Sequence, residues 1–379
     1  MNIKETNTKI ASRRKFLTAG AGVAAGAAAA VAMPQVSRAQ TVTLKMQGAW
    51  GASDIFNEMA MEYVERVQAM AGGRLKIDYL VSGAVVKAFQ VQDAVHSGVL
   101  DAGHHVTAYW YGKHKAASLF GTGPVFGANA SQILAWIHKG GGKDLYRELI
   151  QDILKLNLVG FFAMPMPTQP LGWFKKEIKS AADLAGIKYR TVGLATDIMQ
   201  GMGLSVAQLA GGEIIPAMER GVIDAFEYNN PTSDSRFGAQ DVVKDYMMGS
   251  YHQAAEFFEI IFNKDVFGKL PKEHQAILEY GAEAANTANY ATAMDNYSKD
   301  LQMLVNEKGV KVNRTPKDVL EAQLKSWDTV LEKLNAEDAF FKKVVDSQRD
   351  WSKRVAFYDL LNAADYKLAY EHYFGKLGF

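Results

Sequence analysis

Residues 183–231 read DLAGIKYRTVGLATDIMQGMGLSVAQLAGGEIIPAMERGVIDAFEYNNP, and the rest of the chain is interpreted outward from them. The stretch opens on a short apolar segment ending in a cation, Ile187-Lys188-Tyr189-Arg190. A helix-forming run follows from Ala195 to Met202, bounded by Gly201 and Gly203. A second short helix is expected around Ile214–Arg220, and Gly221 stands where a left-handed helix stop is wanted. A strand is then expected over Val222–Phe226, running out into Glu227-Tyr228-Asn229-Asn230-Pro231. Strand, helix, helix, strand is the repeating logic of an α/β sheet. In such sheets ligands sit beyond the carboxyl ends of the strands. One strand end here carries Arg190 and the other Glu227-Tyr228, a set suited to a small organic anion with or without a metal ion.

The corner that closes this stretch occurs twice. AVHSGVLDAGHH (94–105) parallels AMERGVIDAFEY (217–228), with the same helix end, glycine and Asp-Ala start of a strand. Two such corners predict two similar α/β lobes. Lobe one is expected to span 40–163 and lobe two 164–255, with a return to lobe one over 256–285 and C-terminal helices over 286–379. Three prolines within Met164–Pro170 mark the crossing, because proline restricts the backbone and withholds a ladder donor. Phe257–Asn263 is the expected returning strand, and Lys272–Val305 a long amphipathic helix. Earlier in the chain Thr41–Gln47 alternates as a strand, and Ser53 is the expected cap of a helix from Ile55 to Ala71. The fold expected is therefore two-lobed, of the periplasmic binding protein kind, with a hinge and a long helical C-terminal part.

The 379 residues contain no cysteine, which excludes disulfides, thiolate metal sites and cysteine nucleophiles. Residues 1–39 are expected to be a twin-arginine signal peptide. Ser12-Arg13-Arg14-Lys15-Phe16-Leu17 precedes an Ala/Gly-rich run too short to span a bilayer comfortably, and Ser37-Arg38-Ala39 offers small residues for cleavage. Without the leader the chain has 36 basic and 40 acidic residues, a balance that excludes a broad nucleic-acid-binding surface.

Arg190 is the principal candidate for ligand binding, because its planar fork matches a carboxylate with two parallel hydrogen bonds. Trp50, Tyr109, Trp110, Trp173 and Phe174 are candidates for the cleft wall, with a core position as the common alternative; Tyr109 and Trp110 lie nearest a strand's carboxyl end, and at least one of them is expected in the cleft. Asn229, Asn230 and Gln47 could orient a ligand by hydrogen bonds, whereas Asp234 reads as a helix cap or loop residue.

Gly186–Arg190, GGEIIPAMERGVIDAFEY (211–228) and Gln169-Pro170-Leu171-Gly172-Trp173-Phe174 together resemble the extracytoplasmic solute receptors of TRAP transporters, in particular the alpha-keto-acid-binding type. The resemblance covers nearly all of the chain beyond the leader. It implies capture of a small monocarboxylate, a 2-oxo acid by preference, between two lobes in the periplasm, and delivery to membrane permease subunits. Arg190, Gln169, Tyr109, Trp110 and Asn229 would then bind the acid. Gln169, Glu227 and the backbone carbonyl of Tyr228 would hold a sodium ion, with calcium as the alternative. The family pattern has Trp where this chain has Tyr228, which leaves the carbonyl unaffected but alters the pocket wall. The resemblance also includes dimers with a long C-terminal helix, and Lys272–Val305 is the segment expected to pair two copies.

Enzyme signatures are weak. His104 and His105 are adjacent on a strand and so point to opposite faces. Gly201-Met202-Gly203 follows a helix and lacks the third glycine of a dinucleotide fingerprint, and no GxSxG is present. Two alternatives stay open on sequence: an exported metal-assisted enzyme acting on keto or hydroxy acids, and the ligand sensor of a signalling system.

Overall fold

The computed structural model describes residues 41–378; the signal-peptide expectation lies outside the described residues. Eleven strands form two mixed sheets. They are β1 (Val42–Gly48), β2 (Leu75–Leu80), β3 (Ala102–Val106), β4 (Leu158–Met166), β5 (Gly172–Phe174), β6 (Lys188–Arg190), β7 (Ser205–Ala207), β8 (Ala225–Phe226), β9 (Asp245–Met248), β10 (Glu256–Asn263) and β11 (Lys311–Arg314). The first sheet runs β2-β1-β3-β10-β4 and the second β11-β9-β5-β8-β6-β7. The chain enters the second sheet after β4, through the proline-rich turn, and returns to the first at β10. The architecture is α/β and two-lobed, as expected.

The repeated corner has a structural basis. Gly98 and Gly221 both adopt left-handed backbone, at φ of 80° and 68°. After each glycine the chain enters a strand parallel to an earlier strand of its lobe, β3 to β1 and β8 to β6. Ala102 pairs with Met46, and Ala225 with Tyr189. The Asp that precedes each strand bonds through its backbone N–H to a lysine carbonyl, Asp101 to Lys45 and Asp224 to Lys188. This symmetry places Gln47 and Arg190 at equivalent strand ends, beside Gly103 and Phe226.

Several local expectations change. The strand after Gly221 is only Ala225–Phe226, because the turn continues to Asp224. The helix Ile55–Ala71 is capped by Asp54 rather than Ser53, its carboxylate accepting from the Phe56 N–H at 3.1 Å. The C-terminal part is not wholly helical. Gly309, at φ 64°, turns the chain so that β11 joins β9 in parallel and extends the second sheet.

The helix Lys272–Asn306 has 35 residues, about 52 Å at 1.5 Å per residue. It packs on the helix Ile55–Ala71 and β4 in the first lobe and on the helix Pro231–Arg236 in the second. Gly281 permits the close approach, since a Cβ there would meet Val67 at 2.8 Å. None of the described helices is long and apolar enough to cross a membrane.

Candidate ligand and cation site

The site forms where β6 and β8 end. Arg190 is 1% exposed, so its charge must be satisfied locally. Its Nε donates to the Leu209 carbonyl at 2.9 Å. One terminal nitrogen donates to the Glu227 carbonyl at 2.7 Å and to Glu227 Oε1 at 3.0 Å. Glu227 is equally buried and is held by β5. Gly172, at φ 121°, lies so close to β8 that a Cβ would meet the Phe226 carbonyl oxygen at 2.2 Å. The Tyr228 ring stacks 5.7 Å from the guanidinium carbon.

Arg190 faces a narrow gap of about 10 Å³ between the lobes. Trp50, Phe56 and Tyr109 wall it from the first lobe, and Tyr228, Asn229 and Glu256 from the second side and the return crossing. That is room for about one water, so an acid enters only when the lobes part or the walls shift.

Gln169 lies beside this void. Its amide donates to Glu256 Oε2, to which Asn229 Nδ2 also donates at 3.2 Å. Among the buried oxygens with no hydrogen-bond partner in the described residues are Gln169 Oε1, Glu227 Oε2 and Gln253 Oε1. Buried acceptors left unpaired are costly. A hard cation accepts such oxygens directly, so this donor set fits sodium or calcium. Burial pushes the Glu227 carboxyl up to about 7, against the pull of Arg190. Glu256 rises to about 8, from burial first and the neighbouring Glu227 second. One guanidinium thus faces two carboxyls, leaving negative charge uncompensated once both ionise.

The structure brings together Arg190, Gln169, Glu227, Tyr228, Asn229 and Tyr109. It does not bring in Trp110, whose indole N–H turns away to donate to Glu259 Oε2 at 2.8 Å. Trp173 and Phe174 are also absent from the cleft, both lying in second-lobe cores. Trp173 donates to Asp234 at 2.8 Å. Asp234 is not a loop residue. It lies in the helix Pro231–Arg236 and accepts from the Asn229 and Asn230 N–H groups at 3.3 and 3.4 Å, fixing the backbone after Tyr228. Gln47 is committed to the turn at Val85–Val86. His104 accepts from Trp50 at 2.7 Å and orients that wall, while His105 sits by Glu259 in the first-lobe interior.

Glu256 and Gln253 are site residues that the sequence reading missed. Glu256 opens β10, a mostly apolar strand at the lobe crossing, and lies at a register shift in it. A charge at the mouth of such a run was the available signal.

The family described as DctP, bacterial extracellular solute-binding protein family 7, matches residues 46–338. A monocarboxylate 2-oxoacid-binding periplasmic protein from Nostoc sp. is 31% identical over 303 residues, 80% of this chain and 82% of that protein. A TRAP transporter solute-binding protein from Bordetella bronchiseptica is similar at TM-score 0.81 and 28% identity, covering 88% of this chain and 97% of that one. It was crystallised as a dimer of mixed occupancy with copurified calcium and picolinate. A TRAP periplasmic solute-binding protein from Pseudoalteromonas atlantica, with bound sodium and pyruvate, aligns at TM-score 0.80 and 27% identity over 88% of this chain and all of that one.

Proposed function

The chain belongs to bacterial extracellular solute-binding protein family 7 and is a TRAP-type periplasmic solute receptor for small organic acids; we propose that it takes a monocarboxylate, a 2-oxo acid before others, held by Arg190 and a bound cation. The family and its neighbours are receptors and not enzymes, so the exported-enzyme alternative is set aside. The observation that carries the reading is a buried guanidinium at a strand end, facing a small void beside unpartnered carboxyl and amide oxygens.

Arg190 is the ligand's charge partner. Its Nε and one Nη are engaged by Leu209 and Glu227, which holds the fork at a set angle for the ligand carboxylate. Gln169, Glu227 and the Tyr228 carbonyl would hold the cation, with Glu256 as a further oxygen donor. The cation supplies positive charge that a carboxylate can share with the protein. Asn229 and Tyr109 orient the remainder of the acid. Closure by rotation about the crossings near 164–171 and 249–255 excludes water and strengthens each charge contact. The residues 1–39 send the chain out by the twin-arginine route, and two membrane permease subunits receive the loaded receptor.

The test is mass spectrometry of acid released from denatured protein, with calorimetry against pyruvate, longer 2-oxo acids, lactate, dicarboxylates and picolinate. We expect a 2-oxo acid to bind at least tenfold tighter than its 2-hydroxy counterpart. Equal or tighter binding of dicarboxylates removes the monocarboxylate assignment.

A homodimer is also proposed, but through a different segment from the one expected. The helix Lys272–Asn306 is engaged within its own chain. Residues 357–374 instead present Phe357, Leu360, Leu361, Tyr366, Tyr373 and Phe374 at 66–77% exposure, and the helix Tyr366–Phe374 buries nothing. So large an apolar surface on one terminal segment marks an interface. A second copy is the occupant, in keeping with the dimeric Bordetella neighbour. Truncation after Asn362 should give a monomer mass by light scattering and leave acid affinity within twofold. A full-length chain that is monomeric at micromolar concentration excludes the dimer.

A further inference from the structure

Tyr228 touches three different things at once. Its ring stacks on Arg190 and lines the ligand void. The ring is seated against Gly211, where a Cβ would come within 2.6 Å of it, and meets the Phe237 ring edge-on at 5.0 Å. Its hydroxyl leaves the second lobe and donates to Asp54 Oδ2 of the first lobe at 2.6 Å. Asp54 caps the helix Ile55–Ala71, and its other oxygen accepts from Ser233 of the second lobe at 2.8 Å. Three residues after Ser233, Arg236 pairs with Glu58 at 2.6 Å across the same seam. One buried carboxylate of the first lobe therefore receives two hydroxyls from the second, one of them from the ligand wall.

We propose that the Tyr228–Asp54 hydrogen bond, seconded by Ser233, is a latch that holds the lobes shut over bound acid and sets its rate of release. This rests on the receptor reading above. A hydrogen bond to a buried ionised group is stronger than a neutral pair. Its acceptor lies 7% exposed here, but opening the cleft would return it to water. The bond therefore contributes only in the closed form and acts on release more than on capture. Ligand occupancy reaches it mechanically, because an acid against Arg190 bears on the ring whose hydroxyl makes the bond. Asp54 is a positioning residue: it acts through Tyr228 and does not touch the void.

The variants separate this role from folding. Tyr228→Phe keeps the ring on Arg190 and removes only the hydroxyl. Asp54→Asn keeps a side-chain oxygen able to cap the helix. Tyr63→Phe is the control, since the Tyr63 hydroxyl donates to the Leu278 carbonyl at 3.1 Å, not between the two lobes, and does not line the void. Stopped-flow measurement with pyruvate and calcium should show dissociation about tenfold faster in Tyr228→Phe and in Asp54→Asn. Association should change less than twofold, and the double variant should be no faster than the faster single. Tyr63→Phe should release at the parental rate. Dissociation within twofold of the parent in both latch variants, or additive effects in the double variant, overturns the latch and leaves the receptor reading intact. A second measurement does not need the ligand. The chain has no cysteine, so spin labels at Glu65→Cys and Glu219→Cys, exposed sites on the two lobes, report their separation alone. Ligand-free Tyr228→Phe should show a larger open fraction than its parent. Identical distance distributions overturn the latch even if pyruvate proves not to be the acid.

Discussion

Arg190→Met is expected to abolish acid binding and, unlike a surface change, to weaken the fold in a pH-dependent way. The guanidinium carries the charge opposite the void and also ties Leu209, the Glu227 carbonyl and the Glu227 carboxylate together. Removing one member of a buried pair costs about 3–5 kcal/mol, because the remaining charge is left without compensation. Separately, the ligand carboxylate loses its buried charge partner, about 2–5 kcal/mol, which at about 1.4 kcal/mol per tenfold is a loss in affinity on the order of thirtyfold to several thousandfold. The destabilisation depends on whether Glu227 is charged. Its carboxyl already stands near 7 with Arg190 present, and without that partner it moves higher still. At pH 5.5 the variant can carry a neutral Glu227 and loses mainly hydrogen bonds. At pH 8.5 the buried charge must be dehydrated or the proton retained, so the deficit in Tm against the parent should grow. Arg190→Lys should recover part of the fold but little affinity, since a single ammonium cannot reach three acceptors in fixed directions. Calorimetry on Arg190→Met with near-normal affinity would refute the assignment of this residue to the ligand.

How far this site could be read beforehand depends on what sequence encodes locally. Arg190 and Glu227 were legible because each follows a short apolar strand, and strand ends in α/β sheets converge on one edge. The repeated Gly–Asp-Ala corner exposed the two-sheet plan for the same reason, since a left-handed glycine and a strand start leave a local mark. Trp110 was misplaced because alternation along a loop does not say which neighbour its N–H will find. Here that neighbour is Glu259, 149 residues away. Trp173 was misplaced likewise, since its partner Asp234 belongs to a helix not yet formed when the strand is read in isolation. Glu256 was missed because its role depends on a shift in strand register and on Gln169 arriving from the other crossing. Contacts of that range follow from tertiary packing, and no periodicity announces them.

The same carboxyls make cation binding a titration. Glu227 and Glu256 stand near 7 and 8 in the folded chain against an ordinary 4.5, raised chiefly by burial. The folded protein therefore keeps protons that the unfolded chain releases above pH 4.5. By linkage, these two groups stabilise least at high pH: the stability of the cation-free protein falls as pH rises from about 5 to 8. A cation must displace those protons, so its apparent affinity should climb by about tenfold per pH unit for each proton released, and level off above pH 8. Stabilisation by ligand follows mass action. A fixed millimolar concentration of calcium should therefore raise Tm little at pH 5.5 and by several degrees at pH 8.5. The acid follows the cation: in buffer free of sodium and calcium its affinity should drop at least tenfold at pH 8, where the uncompensated carboxylates repel it. Glu227→Gln removes one of the titrating groups, so the pH slope of cation affinity should flatten while the Glu256 proton remains. Cation affinity that is constant from pH 5.5 to 8.5 in the parental protein would mean that neither carboxylate touches the ion, and the donor set built from Gln169, Glu227 and Glu256 would have to be abandoned.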